Sequence, residues 1–325
     1  MKQEPKRVVM TGATSGIGLV AAQRLLAEGH ALSVLCRDRH RAIERLGPPT
    51  TQLQFLESDL ADLRQLNQAC QKLHNDNQPI DALVLNAGLQ YAGATQARFS
   101  AQGIELTFAV NQLAHQHLVM ELLPLLSRSV GTRIVITGSE VHNPASGGGR
   151  VGQPAGLGSL EGLKAGAGFV MVDGRTGFDA DKAYKDSKLC NLLLGRQLAT
   201  LFSTTQVSIP VIAWSPGLVI PRSADGFFRY SRQSNPVGQA LFGVVARDLL
   251  RLTVSVDDAG ALLDRLIQDE SFGPGFHYWS NTLKGPGRHC FEATPTSDEA
   301  ADLNLASDLV TLSNELIQTT MQSEE

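Results

Sequence analysis

The sequence predicts an α/β protein built on a single doubly wound, parallel sheet. Short buried apolar runs alternate with stretches of helical periodicity along most of the 325 residues. A glycine-rich turn follows the first run, and polar residues follow the next ones. Ligands of such sheets bind at the carboxyl ends of the strands, so these polar residues predict a ligand site at that edge.

The composition is that of an ordinary globular chain with a sizeable core. Hydrophobic residues make up 42% and charged residues 18% of the sequence, so we expect one domain over residues 1–325. A formal net charge of −4, without any run of Lys or Arg, argues against nucleic acid as the main partner. The four cysteines are scattered and lack metal-ligand spacing, so we expect reduced thiols and no metal site.

The ends and the apolar runs of the sequence bear on its location. The polar lead MKQEP passes directly into an apolar run, which is unlike a signal peptide. No apolar run approaches the roughly 18 residues that a membrane-spanning helix needs. We therefore expect a cytoplasmic protein, for which peripheral contact with a membrane stays open.

The first predicted strand, residues 7–10, leads directly into the turn TGATSGIG at residues 11–18. Its glycines are Gly12, Gly16 and Gly18, and an apolar helix follows. A strand, a glycine-rich turn and a helix N-terminus together present backbone N–H groups to a phosphate. A plain tight turn is the alternative, and the flanking strand and helix favour a dinucleotide cofactor.

The second predicted strand, residues 31–36, ends at the charged sequence Arg37-Asp38-Arg39. In a dinucleotide-binding sheet this end meets the adenosine ribose, where a carboxylate favours NAD and an arginine favours the 2′-phosphate of NADP. Asp38 would favour NAD if the chain were shifted by one residue. We favour NADPH, with Arg37 and Arg41 as candidate phosphate partners, and an exposed charged loop is the alternative.

Four further apolar runs complete the predicted sheet, with helices between them. The predicted strands are residues 53–57, 82–85, 133–137 and 207–214, and the clearest helices are residues 62–74 and 105–126. Pro124 is expected to disturb the end of the second helix. The residues at the carboxyl ends of the first five strands are glycine or polar: Gly12, Arg37, Asp59, Asn86 and Ser139.

A helix predicted over residues 178–195 carries Tyr184 and Lys188, with Asp179 or Asp181 as its cap. Four residues apart, the two side chains leave the helix on one face. A nearby ammonium group favours the phenolate and lowers a tyrosine pKa, so the pair can exchange a proton with a reacting group. A solvated lysine beside a half-buried tyrosine is the alternative.

Together these motifs resemble the short-chain dehydrogenases/reductases in identity, order and spacing. The resemblance implies a Rossmann-type domain with a catalytic tetrad of Asn111, Ser139, Tyr184 and Lys188. It further implies that Ser139 hydrogen-bonds the substrate and that Tyr184 transfers a proton. Lys188 is then expected to bind the nicotinamide ribose and to lower the tyrosine pKa, while Asn111 holds a water beside the lysine.

The same resemblance implies which residues bind the cofactor. Asp59 corresponds to the family's adenine contact, and Asn86-Ala87-Gly88 to its support of the sheet beside the cofactor. The full expected set is Gly12, Thr14, Ser15, Gly16, Ile17, Gly18, Arg37, Asp59, Leu60, Asn86, Ala87, Gly88, Tyr184, Lys188, Pro216 and Gly217.

A glycine-rich insertion, residues 140–178, separates Ser139 from Tyr184. It indicates a more specific resemblance within the family. Its second half, the text AYKDSKLCN at residues 183–191 and residues 275–281 are similar to the light-dependent protochlorophyllide oxidoreductases. That similarity implies NADPH as cofactor and light-driven reduction of one ring C=C bond of a tetrapyrrole.

Two residues depart from that pattern. Leu218 follows Pro216-Gly217 where those enzymes carry a cysteine, and Gly88 stands where they carry an alanine. The text at residues 139–142 also resembles retinol dehydrogenases, so an apolar carbonyl such as a retinoid is the alternative substrate. A cofactor-binding sensor without turnover is the second alternative, and the intact tetrad argues against it. The oligomeric state stays open.

The segment after the sixth strand is predicted to cover the substrate. This lid, residues 216–250, is rich in apolar side chains, among them Phe227, Phe228, Leu241 and Phe242. They favour a large flat or lipid-like substrate, or a membrane surface, and packing as a satellite of the core is the alternative. A C-terminal extension over residues 282–325, with a helix near residues 309–317, completes the expected chain.

Overall fold

The computed structural model describes residues 4–129, 131–220 and 227–322. Its strands are β1 (Arg7–Thr11), β2 (Ala31–Cys36), β3 (Leu53–Glu57), β4 (Ala82–Leu85), β5 (Arg133–Thr137), β6 (Pro210–Ser215), β7 (Gly275–Gly285) and β8 (Arg288–Ala293). They form one eight-stranded sheet in the order β3-β2-β1-β4-β5-β6-β7-β8. All neighbouring pairs are parallel except β7 and β8, which are antiparallel. The predicted doubly wound, Rossmann-type sheet is therefore confirmed.

Helices connect the strands and cover both faces of the sheet. They are α1 (Gly16–Ala27), α2 (Arg39–Leu46), α3 (Leu63–Asp76), α4 (Leu106–Phe108), α5 (Ala114–Leu126), α6 (Glu161–Lys164), α7 (Ala180–Thr204), α8 (Arg229–Ser234), α9 (Pro236–Gly243), α10 (Val256–Gln268), α11 (Asp298–Ala301) and α12 (Leu303–Gln322). A π-helical turn (Ala109–Leu113) joins α4 to α5, a second one (Val244–Leu249) follows α9, and a 3₁₀ turn (Glu140–His142) follows β5.

The core consists of two hydrophobic layers, one on each face of the sheet. Successive side chains of β1 alternate between them: Met10 packs in the layer that contains Leu263 of α10, and Val9 in the layer that contains Leu193 of α7. Because both faces are covered, the strands read as continuous apolar runs rather than as alternating ones, and all four residues of β4 are buried. This explains why the central strands are visible in the sequence.

Strands β2 to β5 have the predicted bounds, and other elements differ from the prediction; among them, β1 ends at Thr11 rather than Met10, and α7 runs to Thr204 rather than Gly195. The sixth strand begins at Pro210 rather than Val207, where pairing with Gly275 of β7 starts. Pro124 lies inside α5 without ending it, since the carbonyl that it frees, that of Met120, belongs to a residue 37% exposed to solvent. Helix α2 was not predicted, and Asp38 caps it by accepting a hydrogen bond from the Arg41 N–H at 2.9 Å.

The C-terminal extension and the lid also need correction in detail. Strand β7 runs to Gly285 and β8 follows, so the predicted extension (residues 282–325) begins inside the sheet, and its helix α12 is longer than expected. In the lid, residues 221–226 lie outside the described part of the chain, as do 1–3, 130 and 323–325. Among the described residues, no helix is long and apolar enough to cross a membrane.

Candidate functional site

The glycine-rich turn after β1 forms a cradle at the N-terminus of α1. Gly12 and Gly16 have φ angles of 70° and 55°, in the left-handed region that favours glycine. A Cβ atom on Gly18 would lie 2.1 Å from the Gly12 carbonyl oxygen, whereas one on Gly16 would meet nothing within 4 Å. The N-cap residue Ser15 makes no side-chain capping hydrogen bond. The first-turn N–H groups and the open space therefore fit a phosphate group.

Asn86 ties the turn to the neighbouring strands. Its amide nitrogen Nδ2 donates to the Gly12 carbonyl at 3.2 Å, and its Oδ1 accepts from the Thr137 hydroxyl at 3.0 Å. Its backbone N–H and that of Ala87 both donate to the Thr11 hydroxyl at 3.0 Å. These bonds fix the ends of β1, β4 and β5 relative to one another. The sequence indicated Asn86 but gave no signal for Thr11 and Thr137.

The residues expected at the adenosine end lie at the ends of β2 and β3. Arg37 is exposed directly after β2. The Asp38 carboxylate is engaged in capping α2, which leaves Arg37 as the side chain at this position suited to a 2′-phosphate. Asp59 follows β3 closely, and its Oδ1 accepts a hydrogen bond from the Ala61 N–H at 3.0 Å.

At the other end, the chain brings the predicted tetrad together at the carboxyl ends of β4 and β5. The Tyr184 and Ser139 hydroxyls are hydrogen-bonded. The Lys188 ammonium lies 5.7 Å from the centroid of the Tyr184 ring and donates to the Thr137 carbonyl at 2.8 Å. A Cβ atom on Gly88 would lie 3.6 Å from the Lys188 Nζ, so the Asn-Ala-Gly segment borders the same site.

Asn111 holds the segment after β4 against α7. Its Oδ1 accepts from the Leu89 N–H at 2.8 Å, and its Nδ2 donates to the Leu89 carbonyl at 2.9 Å and to the Ser187 hydroxyl at 3.0 Å. The residue lies in the π-helical turn between α4 and α5, a deviation that is common at functional sites. The sequence predicted a regular helix here, and the π turn was missed.

Burial dominates the electrostatics of the tetrad. It raises the pKa of the Tyr184 hydroxyl, although the hydrogen bond with Ser139 acts in the opposite direction. It also lowers the pKa of Lys188 to about 7. The expected lowering of the tyrosine pKa by Lys188 is therefore wrong for this structure. Tyr184 is protonated at neutral pH, the state that a proton donor requires.

His115 lies next to this site but carries no charge. Its Nε2 is 3.1 Å from the Thr11 hydroxyl. Burial, with a further contribution from the charge of Lys188, lowers its pKa to about 3. His115 is thus neutral at physiological pH and contributes a hydrogen bond rather than a charge.

Lys182 anchors the glycine-rich insertion to the helix that carries Tyr184. Its ammonium group, 2% exposed, contacts Asp186 at 2.6 Å and Asp173 of the insertion at 3.1 Å. It also donates to the Gly156 carbonyl at 2.6 Å. Sequence reasoning missed this role, although Lys182 and Asp186 show the i, i+4 spacing of a helical ion pair.

Lys185 makes a second attachment to the insertion. Its ammonium group is buried and donates to the carbonyls of Gly149, Val151 and Gln153, at 3.3 Å for Gly149 and 2.8 Å for Gln153. No carboxylate is needed, because three carbonyl oxygens satisfy the three ammonium donors. The two lysines flank Tyr184 in sequence, so the insertion is fixed to the catalytic turn itself.

The lid contributes an aromatic side chain to the site. The ring of Phe227 lies 5.2 Å from the ring of Tyr184, in an edge-to-face arrangement. Phe227 and Leu218 pack on a small cluster that contains Phe228 and Ile220. For these residues the satellite-core alternative holds. It fails for Leu241, which is 63% exposed.

The Pro216-Gly217 pair is fixed where β6 meets β7. Gly217 has a φ of 79°, and a Cβ atom there would lie 2.9 Å from the Asn281 carbonyl oxygen. The Asn281 amide donates to the Pro216 carbonyl at 3.4 Å. Asn281 belongs to the motif at residues 275–281, so that motif supports the edge of the site from β7.

The expected cofactor residues therefore follow one edge of the sheet. Arg37, Asp59 and Leu60 lie at its adenosine end, near β2 and β3. The turn residues Thr14, Ser15 and Ile17 lie between this end and the tetrad. This is the order in which a dinucleotide bound across the strand ends would contact them.

Comparison with known proteins gives consistent matches. The short chain dehydrogenase family matches residues 6–149. Protochlorophyllide reductase A of Oryza sativa subsp. japonica, a chloroplastic protein, is 33% identical over 320 residues, covering 95% of this chain and 80% of the relative. Protochlorophyllide reductase of Chlamydomonas reinhardtii, also chloroplastic, is 33% identical over 324 residues, covering 97% of this chain and 78% of the relative.

Among solved structures, an uncharacterized protein from Mycobacterium Paratuberculosis superimposes with a TM-score of 0.66. It is 23% identical, and the match covers 96% of this chain and 93% of that one. At this identity the likeness supports the fold alone.

Proposed function

Since the chain belongs to the short-chain dehydrogenase/reductase family and is an oxidoreductase, we propose that it reduces a large apolar substrate with NADPH. Protochlorophyllide is the first candidate for that substrate. One observation carries the proposal: a protonated Tyr184, hydrogen-bonded to Ser139, lies beside Lys188 and under an aromatic side chain of the lid. The similarity to protochlorophyllide reductases extends over 95% of the chain.

The cofactor residues support NADPH. When bound, NADPH supplies a hydride from its nicotinamide ring. The turn from Gly12 to Gly18 holds the pyrophosphate at the N-terminus of α1, and Arg37 pairs with the 2′-phosphate. Lys188, close to Gly88, holds the nicotinamide ribose.

Tyr184 provides the proton for the substrate atom that the reduction leaves negative. Because burial raises its pKa, the hydroxyl stays protonated until the reaction makes that atom a stronger base. Ser139 orients the hydroxyl through their hydrogen bond. Asn111 holds the Leu89 segment and the Ser187 turn of α7 together through its hydrogen bonds, so that the Tyr184 hydroxyl keeps its position.

The carbonyl alternative remains a second candidate for the substrate. Leu218, which replaces the cysteine of the resembled enzymes, packs with the lid cluster and offers no thiol. A reductase of apolar aldehydes such as retinal needs only the tetrad and an apolar site. A sensor without turnover would have no use for the hydrogen-bonded tyrosine and the buried lysine.

The test is binding and turnover with the purified protein and NADPH. Protochlorophyllide should bind with a shift of its absorption, and illumination should yield the reduced pigment. Tyr184→Phe should keep the cofactor and lose about 10²- to 10⁴-fold in turnover, the usual contribution of a general acid. Dark oxidation of NADPH with retinal, without pigment binding, would establish the carbonyl reaction instead. If no substrate is turned over, the cofactor-binding sensor is the remaining alternative.

The cofactor assignment has its own test. Arg37→Ala should weaken NADPH binding about 10- to 100-fold and leave NADH binding nearly unchanged, because only NADPH carries the 2′-phosphate. Arg128→Ala, also exposed but next to Asn77, is the matched control. An equal loss for both cofactors would contradict the role of Arg37.

We also propose that the lid contacts an anionic membrane surface. Val237, Leu241 and Val244 form an apolar groove, and they are 78%, 63% and 53% exposed. Residues 227–251 contain four arginines and one aspartate, whereas the whole chain has a net charge of −4. Val237→Gln should reduce co-flotation with phosphatidylglycerol vesicles, whereas Leu303→Gln, exposed on α12, should not. Equal flotation of all three proteins would reject the contact.

A further inference from the structure

Two arginines lie around one aromatic ring of the lid. The guanidinium carbon of Arg229 is 4.2 Å from the centroid of the Tyr230 ring, and that of Arg98 is 4.9 Å from the same centroid. Arg98 comes from the segment between β4 and α4, where it also lies 5.6 Å from the Tyr91 ring. One cation from the lid and one from the body of the protein thus lie against the same ring.

Within the described part of the chain, neither arginine forms an ion pair. The nearby Glu105 carboxylate is occupied by the Tyr91 hydroxyl and by two backbone N–H groups. The Nε of Arg229 is buried without a hydrogen-bond partner. Repulsion between two like charges costs free energy, and so does a buried N–H donor without a partner. A bound anion would offset both costs.

The arginine pair lies close to the reacting centre. Phe227, two residues before Arg229, contacts the Tyr184 ring at 5.2 Å between centroids. Two residues of chain span at most about 7 Å. A large planar substrate at Tyr184 therefore reaches the guanidinium groups with a substituent at its edge.

We propose that Arg98 and Arg229 form a subsite for a carboxylate carried by the apolar substrate. This inference rests on the proposed function and narrows its substrate class. Guanidinium groups match the geometry of a carboxylate, and Tyr91 and Tyr230 provide apolar surface beside it. Protochlorophyllide carries a free carboxylic acid side chain and retinal carries none, so the subsite selects the acidic pigment.

The same contacts could serve only to close the lid. Tyr230 would then act as a cation–π latch, with the Ser231 hydroxyl donating to the Gln90 carbonyl at 3.5 Å as a further contact. A latch affects every ligand equally, whereas a carboxylate subsite affects only acids. Esterification of the ligand separates the two.

The experiment is a dark absorption titration of the protein and NADPH with protochlorophyllide and with its methyl ester. The free acid should bind about 10- to 100-fold more tightly than the ester. Arg229→Gln and Arg98→Gln should each remove most of that preference while leaving the affinity for the ester unchanged. Arg229→Lys should keep part of it, and Arg251→Gln, an exposed control, should keep all of it.

The opposing results are distinct. The subsite would be overturned if the unmodified protein bound the acid and the ester equally. It would also be overturned if an arginine variant weakened the binding of both ligands alike. In either case the cation–π latch would be the remaining role of the two arginines. If neither pigment form binds, the proposed pigment substrate fails, and the titration is repeated with retinoic acid and its methyl ester. A preference for the acid that depends on Arg229 would then still support the subsite, and its absence would reject it.

Discussion

The insertion and the lid flank the same catalytic residue but are held in opposite ways. The insertion, residues 140–178, contains little regular structure, yet buried lysines attach it to α7. The described part of the lid is mostly helical, yet Val237 and Leu249 are 78% and 72% exposed. Regular secondary structure is thus no measure of how firmly a segment is fixed. Buried polar contacts are the better measure, and the insertion makes them with α7.

The physical reason is the cost of leaving a buried polar group without a partner. Displacement of the insertion would take the Asp173 carboxylate, 8% exposed, and the Gly156 carbonyl away from the buried Lys182 ammonium, which would keep only Asp186 of its own helix as a partner. Displacement of the lid exposes side chains of α9 that are already in water. The insertion therefore resists movement more strongly than α9 of the lid does.

The largest expected effect is that of Lys182→Met. It leaves the buried Asp186 carboxylate without its cation and Asp173 with Arg175 alone, which should lower the free energy of unfolding by about 3–5 kcal/mol. Lys164→Met is the matched control, since Lys164 pairs with Glu161 on the exposed side of the same insertion at 3.1 Å. That change should cost less than about 1 kcal/mol. Urea unfolding measures both, and similar costs would mean that the insertion is not held by its buried charges.

A glycine of the insertion gives the next largest effect. A Cβ atom on Gly162 would lie 1.9 Å from the Met171 carbonyl oxygen, so Gly162→Ala forces α6 and the segment around Met171 apart. We expect a loss of about 1–3 kcal/mol in the free energy of unfolding. Gly147→Ala, where a Cβ meets nothing within 4 Å, should be close to neutral. If Gly162→Ala is equally neutral, the insertion is looser than its contacts indicate.

The comparison also shows which features a sequence can reveal. The bounds of β2 to β5 follow from short apolar runs, and the turn at Gly12 from glycine spacing, because both depend on neighbouring residues. The partners of Lys185 and the contact of Arg98 with Tyr230 join distant parts of the chain, so no local pattern signals them.

Apolar composition was an equally incomplete guide for the lid. It correctly marked Phe227 as a contact of the site, but it could not show that Leu241 faces outward. The Tyr184 pKa is a similar case. The spacing to Lys188 indicates a lowered pKa, and only the folded structure shows that burial raises it. Exposure and burial are properties of the assembled fold rather than of the pattern.

The smallest expected effect has the opposite sign and lies in the lid. Gly243 ends α9 with a helical φ of −60°, and a Cβ atom there would lie 3.7 Å from Ile220, an ordinary contact. Gly243→Ala should therefore stabilise the helix by about 0.5–1 kcal/mol, because alanine loses less backbone entropy than glycine. Since a weakly fixed lid can open without global unfolding, hydrogen exchange of the α9 amides is the suitable measurement, and it should slow about 2- to 5-fold.

Gly238→Ala in the same helix is the matched control. A Cβ atom there would lie 2.4 Å from the Asn235 amide, whose Oδ1 accepts the Gly238 N–H at 2.9 Å to cap α9. This change should speed the exchange of the same amides, since it disrupts the cap. If Gly243→Ala also speeds exchange, the lid is packed against a neighbour that does not tolerate a methyl group. The lid would then be fixed as firmly as the insertion, and the contrast between the two segments would fail.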